Sequence, residues 1–329
     1  MISAFGELLL RFSPSLNRKW IHDAITPVYV GGAELNVAAA LACWGLPVQY
    51  CTRLPNHSLS REIISELQEN NIEVSIEFGG DRIGTYYLPQ GSDLKNEGVI
   101  YDRAHSAFWE LESGMMNWQK ILKASNHFHF SAISPALNQQ VADACVEAVI
   151  AAKSKSIPVS IDLNYRAKLW QYGKQPPEVM HSLVQHADIV MGNIWAAEQL
   201  LHIPSTIESS QNKTKDELIT AALKSIELLK QKYKQVKTIA YTFRLNQTYF
   251  AVLQHQGQTV VSHEFSISQV VDKVGSGDCF MAGLLFGIYE QQTPQEIVDF
   301  AASAAVGKMQ ELGDHTKQTV MEILNRLQS

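Results

Sequence analysis

The feature that most constrains the fold is a repeated alternation of short apolar runs with longer stretches of helical character. Ile2 to Phe12 reads as a buried strand. After a polar stretch, Val28-Tyr29-Val30 leads into Gly31-Gly32-Ala33-Glu34-Leu35-Asn36 and an Ala-rich helix ending near Gly45. A strand at Val48 to Thr52, a helix from about Ser58 to Asn70 and a strand at Ile72 to Phe78 follow. The alternation resumes with strands at His127 to Ser131, Pro158 to Leu163 and Asp188 to Met191. They are separated by a helix from about Gln139 to Lys153 and by a second helix, and a third runs from about Ile194 to Leu201. Such long crossovers suit parallel strands, and helices on both faces bury them. The pattern therefore predicts an α/β chain with a doubly wound, mostly parallel sheet.

Two regions break the alternation. Between Arg82 and Arg103 short β-like pieces are interrupted by Pro89-Gln90-Gly91-Ser92 and Asn96-Glu97-Gly98, with tyrosines at 86, 87 and 101. Together with the segment from Ser13 to Val30 they predict a small sheet projecting from the main domain, from segments near 13–30 and 82–106 of one domain spanning 1–329. Ile203 to Lys215 reads as a surface loop before a helix of roughly Asp216 to Lys232. Thr238 to Thr242, Thr248 to Leu253 and Thr259 to Phe265 read as hairpin-like strands, and helices at about Gln295 to Leu312 and Lys317 to Leu327 close the chain.

Charge and cysteine use narrow the function. Twenty-seven basic and thirty-three acidic residues give a net charge of −6 without a Lys/Arg-rich block, which argues against an extended nucleic-acid or acidic-membrane surface. The apolar N-terminal run lacks a basic n-region and no stretch is long enough to span a bilayer. Cys43, Cys51, Cys145 and Cys279 are scattered in apolar contexts, as expected of reduced, buried thiols in a cytoplasmic protein. Small-molecule chemistry is the remaining default.

The chemistry concentrates in Asp272-Lys273-Val274-Gly275-Ser276-Gly277-Asp278, which runs into the apolar stretch Cys279 to Ile288. Two glycines can turn backbone N–H groups toward one point, and a buried helix behind them adds its positive end, so the loop suits an anion. A carboxylate beside a bound phosphate makes sense if Asp278 takes a proton from the attacking hydroxyl. The alternative is a turn with Asp278 as a helix N-cap. Other polar groups recur after predicted strands, where doubly wound sheets bind ligands: Gly31-Gly32 with Asn36, Asp162-Leu163-Asn164-Tyr165-Arg166, Gly192-Asn193, and Gly313-Asp314-His315 near the C-terminus. Walker A, Gly-x-Gly-x-x-Gly and Gly-x-Ser-x-Gly patterns are absent, and His127-Phe128-His129 reads as structural.

Gly31 to Asn36 paired with Asp272 to Asp278 resembles the PfkB (ribokinase-like) sugar kinases. Within them the likeness is greatest to 2-keto-3-deoxygluconate kinases, through Gly6-Glu7, Tyr29 to Glu34, Ser131-Ala132-Ile133-Ser134-Pro135-Ala136-Leu137, Asp162 to Arg166 with Leu169-Trp170, and Gly313-Asp314-His315. The resemblance implies a large α/β domain whose small sheet closes as a lid over the sugar. It also implies an anion hole from Gly275, Ser276, Gly277 and Asp278, with Asp278 as base. Gly32, Asn36, Tyr86, Tyr101, Arg103, Arg166 and Asp314 are the implied sugar contacts. The nucleotide contacts are Asn164, Asn193, Thr242, Arg244, Gly275 and Gly277. ATP and Mg²⁺ are implied, with a monovalent cation such as K⁺ as a further candidate, as is self-association through lid edges. A sugar-acid carboxylate suits an arginine fork with tyrosine hydroxyls.

Three departures stand out. The family's Asn-x-x-Glu stretch reads Asn193-Ile194-Trp195-Ala196, with Glu198 two positions further on. The nucleotide-side loop, glycine-rich in the family, reads Thr242-Phe243-Arg244-Leu245-Asn246-Gln247, where Arg244 is a candidate source of charge. Lys273 replaces a common threonine. The competing readings are a fructokinase or other PfkB sugar kinase, and a degenerate sugar-acid-binding regulator.

Overall fold

A computed structural model describes residues 1–14, 26–89, 98–245, 247–267 and 269–328. The first third holds β1 (Ile2–Phe5), β2 (Leu9–Phe12), β3 (Val28–Gly31), α1 (Ala33–Cys43), β4 (Val48–Leu54), α2 (Ser58–Glu69), β5 (Ile72–Phe78), β6 (Gly84–Tyr87) and β7 (Ile100–Asp102). Next come α3 (Trp118–Ile121), β8 (His127–Ser131), α4 (Gln139–Ser154), β9 (Val159–Asp162), α5 (Pro176–Val184), β10 (Ile189–Gly192), α6 (Ile194–Leu201) and α7 (Lys215–Lys232). The last third holds β11 (Thr238–Leu245), β12 (Thr248–His255), β13 (Gln258–Val261), β14 (Phe265–Ser266), α8 (Ser276–Tyr289), α9 (Pro294–Lys308) and α10 (Val320–Arg326).

A ten-stranded sheet runs β13-β12-β11-β10-β9-β8-β1-β4-β5, with β14 on β12. From β11 through β5 the neighbours are parallel, whereas β12 is antiparallel to β11, β13 and β14. Period-2 alternation sends Ile239, Tyr241 and Phe243 into one hydrophobic layer and Ala240 into the other. The first layer holds α4 to α7, and the second holds α1, α8 and α9. Four strands, β3-β2-β6-β7, form a separate small sheet. Of the expected lid segments, residues 15–25 and 90–97 lie outside the described residues.

The stretch Ile2 to Phe12 is two strands in two sheets. β1 pairs with β4 and β8, while β2 pairs with β3 and β6. Between them Gly6 is tied by its N–H to Cys51 O (3.2 Å) and by its carbonyl to the Tyr50 hydroxyl (2.9 Å). The apolar run continues through the crossing because both sheets are covered there, so hydrophobicity alone cannot mark it. The segment read as a loop from Thr242 to Gln247 is also corrected: β11 continues to Leu245, which pairs with Thr248, while Asn246 lies outside the described residues. Phe243 is buried and stacks on Phe250 at 5.1 Å, which extends the strand past its expected end.

α9 ends at Lys308, short of Leu312, and α10 starts at Val320, which leaves Gly313-Asp314-His315 in a loop. Cys51, Cys145 and Cys279 are buried, but Cys43, the last residue of α1, is exposed, with its Sγ 3.5 Å from Gln318 O. His127 and His129 are buried, with ring nitrogens 2.8 and 3.0 Å from Ser160 Oγ, and burial lowers their pKa values to about 4 and about 3. Among the described residues no helix is long and apolar enough to cross a membrane.

Candidate active site

A cavity of about 680 Å³ opens where β9, β10 and β11 end and the small sheet faces them. Every candidate site residue named from the sequence lines it: Gly32, Asn36, Tyr86, Tyr101, Arg103, Asn164, Arg166, Asn193, Thr242, Arg244, Gly275, Ser276, Gly277, Asp278 and Asp314.

Gly275 caps α8 with φ 79, the left-handed region that favours glycine. The next N–H groups belong to the first helical turn, which has no intrahelical acceptors of its own. Gly277 is exposed to the cleft, with no heavy atom within 4 Å of where a Cβ would stand. Asp278 is the third helical residue, so the N-cap reading does not hold. Its carboxylate is buried and accepts a hydrogen bond from Asn36 Nδ2 at 2.7 Å. Burial raises its pKa to about 8; Asp162 and Glu34 add to the rise, and Asn36 and Arg166 oppose it.

On the small-sheet side, β2 carries Arg11, whose side chain is fully buried. Its Nη2 donates to Asp272 Oδ2 (2.7 Å), its Nε lies 2.8 Å from Asp314 Oδ1, and the guanidinium stacks 4.5 Å over Tyr29. The Tyr86 hydroxyl donates to Asp314 Oδ2 at 2.9 Å. Two strands of the small sheet are thus tied to the loops on either side of the anion hole. Arg103 is not an unengaged fork: its Nε donates to Glu7 Oε2 at 2.7 Å, its Nη2 reaches the same oxygen, and Ser106 Oγ donates to Glu7 Oε1 at 2.6 Å. Below the cleft Glu34 is buried and accepts from the Ser131 N–H (2.8 Å) and hydroxyl (2.7 Å); burial nevertheless raises its pKa to about 7.

On the other side Arg244 Nη2 donates to Ser276 Oγ at 3.0 Å, and that hydroxyl donates to Lys273 O at 2.9 Å. Arg244 alternates with buried Phe243 along β11 and so faces the cleft, beside the start of α8. Asn193 uses its side-chain oxygen to cap α6, accepting from Ala196 N–H at 2.9 Å. Asp162 Oδ1 accepts from the Asn164 N–H at 3.1 Å, and Thr242 Oγ1 donates to Gly192 O at 3.4 Å. Lys168, Trp195, Gln199, Tyr249 and Lys273 also line the cavity and were not singled out as site residues from the sequence.

Sequence reasoning also missed two buried cations, Arg11 and Lys308. Arg11 had a signal, a lone charge inside Leu8-Leu9-Leu10-Arg11-Phe12. Lys308 had the weaker one of a lysine ending an Ala-rich helix. Its Nζ donates to Gly313 O (2.8 Å) and Glu311 O (3.3 Å). Burial lowers its pKa, opposed by Asp272, Glu311 and Asp314.

Comparison with known proteins agrees with this geometry. The chain is 25% identical over 320 residues to a 2-dehydro-3-deoxygalactonokinase of Haloferax volcanii, covering 97% of this chain and 94% of the relative. It is also 25% identical over 342 residues to fructokinase-1 of Oryza sativa, covering 100% of this chain and 98% of that one. The crystal structure of 2-dehydro-3-deoxygluconokinase from Thermotoga maritima superposes with a TM-score of 0.89 at 33% identity, covering 100% and 99% of the two chains. Residues 24–319 match the model of the pfkB family carbohydrate kinases. With its ribokinase-like α/β fold and this cleft, the chain belongs to the PfkB family and is a carbohydrate kinase.

Proposed function

We propose that the protein is an ATP-dependent kinase of 2-keto-3-deoxygluconate that phosphorylates the terminal hydroxyl. The observation that carries this reading is Asp278, a buried carboxylate of raised pKa at the open first turn of α8. The substrate hydroxyl gives its proton to Asp278 while its oxygen forms a bond to the γ-phosphorus. The bond from that phosphorus to the bridging oxygen breaks, and ADP leaves with the electron pair. N–H groups at Gly275 to Asp278 face the charge on the transferred group. Mg²⁺ bound with the nucleotide supplies neutralisation of the phosphate oxygens. Among the described residues no group of three or more His, Cys, Asp or Glu is set to hold a metal, so the phosphates are its expected ligands.

For the sugar acid, Arg166 is the cation we assign to the carboxylate, with Tyr86, Tyr101, Gly32, Asn36 and Asp314 around the hydroxyls. Arg103, neutralised by Glu7, shapes the wall. Arg244, Asn164, Asn193 and Thr242 are assigned to the nucleotide. The small sheet acts as a lid that excludes water, without which ATP would be hydrolysed. Exposed Val28 and Ile100 on its edge strands support self-association there. The buried thiols fit a cytoplasmic location.

The rice fructokinase, with the same 25% identity as the Haloferax enzyme, favours a second reading with fructose as substrate. A sugar-binding regulator would have no use for Asp278 as a base. The test is ADP release with ATP and Mg²⁺, comparing 2-keto-3-deoxygluconate, fructose, ribose and no sugar. Turnover confined to the sugar acid supports the proposal; preference for fructose overturns the substrate, and silence with all three sugars overturns the proposal in favour of a degenerate, sugar-acid-binding member of the family.

A further inference from the structure

Lys308 presents a physical puzzle. Its side chain is fully buried at the end of α9, and its ammonium is held by the carbonyls of Gly313 and Glu311. Among the described residues no carboxylate makes an ion pair with it. The nearby Asp272 and Asp314 are both engaged by Arg11. Its hydrogen bonds go to neutral acceptors alone, and the nearby charges of Asp272, Glu311 and Asp314 offset only part of the cost of burying it. The anion loop is its neighbour: Lys308 Cε is 3.3 Å from where a Cβ on Gly275 would stand, and the Asp314 carbonyl packs against the same glycine. The lysine stem thus packs against Gly275, the cap of α8, while Lys308 itself does not line the cleft.

We propose that Lys308 is a built-in cation for the anion loop. Its ammonium fills the carbonyl pocket that a free monovalent ion would otherwise need. It also holds residues 311–314 against Gly275 and lends positive potential where phosphoryl charge develops. The expectation of K⁺ therefore does not fit this pocket, because the Glu311 and Gly313 carbonyls are already taken by the ammonium. The inference rests on the kinase reading for its catalytic consequence, but not for the pocket.

Two variants test it. Lys308→Ala leaves space for an ion, whereas Lys308→Met keeps the volume without the charge. Each is compared with the wild type in potassium, ammonium and choline chloride. The wild type is expected to turn over equally in all three. Both variants should lose about 10²-fold in kcat with little change in KM, as for loss of a preorganised charge. Ammonium or potassium should restore about tenfold in the Ala variant and nothing in the Met variant. Without substrates, the Tm of the Ala variant should rise in ammonium or potassium relative to choline, and that of the Met variant should not. A K⁺-dependent wild type, an Ala variant of full kcat in choline, or an Ala variant with no ion-dependent Tm would each overturn the proposal. A wild type inert toward every sugar counts against the kinase reading alone, since ion-dependent Tm of the Ala variant then still upholds the pocket.

Discussion

Two aspartates of the main domain, Asp188 and Asp278, show how one residue type is put to opposite uses. Asp188 precedes β10 at the amino end of the sheet. It accepts from Lys153 Nζ at 2.8 Å and from the Val159 N–H at 3.0 Å, with Lys237 at 3.5 Å. Burial works against its charge, but these partners win and lower its pKa. Asp278 faces the cleft at the opposite, carboxyl end. It has one neutral partner, Asn36, and burial raises its pKa to about 8. A carboxylate given its own cations is a structural tie. One whose hydrogen-bond partner is neutral, and for which the charge of Arg166 does not outweigh burial, is poised to take a proton.

Substituting each aspartate should separate the two ends. Asp278→Asn is expected to lower kcat about a thousandfold, within the range of general-base catalysis, while sugar binding measured by calorimetry persists. Near-normal turnover would break the comparison. Asp188→Ala should leave kcat unchanged and cost about 1–3 kcal/mol of stability in denaturant titrations, because Lys153 and the Val159 N–H lose their acceptor.

The two glycines of the anion loop sharpen the contrast between holding a fold and serving a site. Gly277→Ala meets no atom within 4 Å, so stability should hold; its methyl enters the space left for the phosphoryl group, and kcat/KM should fall about 10²-fold. Gly275→Ala combines φ 79 with overlap of the Asp314 carbonyl, so thermal unfolding should show a loss of about 1–3 kcal/mol as well. The smallest effect is expected at Arg244→Ala, a several-fold rise in the KM for ATP with kcat nearly kept. An unchanged KM would remove Arg244 from the nucleotide site.

Much of this was legible in the sequence, for identifiable reasons. Alternating strands and helices announce a parallel sheet, and polar residues that follow strands gather at its carboxyl end, so the named candidates line one cleft. What escaped depends on partners distant in the chain. Arg11 is intelligible only beside Asp272 and Asp314, and the engagement of Arg103 only once Glu7 is brought next to it. Hydrophobicity hid the passage of Ile2 to Phe12 between two sheets. Placing the family's nucleotide-side loop at 242–247 cut the strand short, although Tyr241, Phe243 and Leu245 carry the period-2 signal.

The central claim is that burial makes Asp278 a base, and the pH dependence of kcat/KM tests it most directly, since that ratio reports groups of the free enzyme. The account predicts a rise of about tenfold per pH unit up to an apparent pKa near 8, then a plateau, with the limb absent from the residual activity of Asp278→Asn. A profile flat from pH 5.5 to 8, or the same limb surviving in the variant, would contradict it.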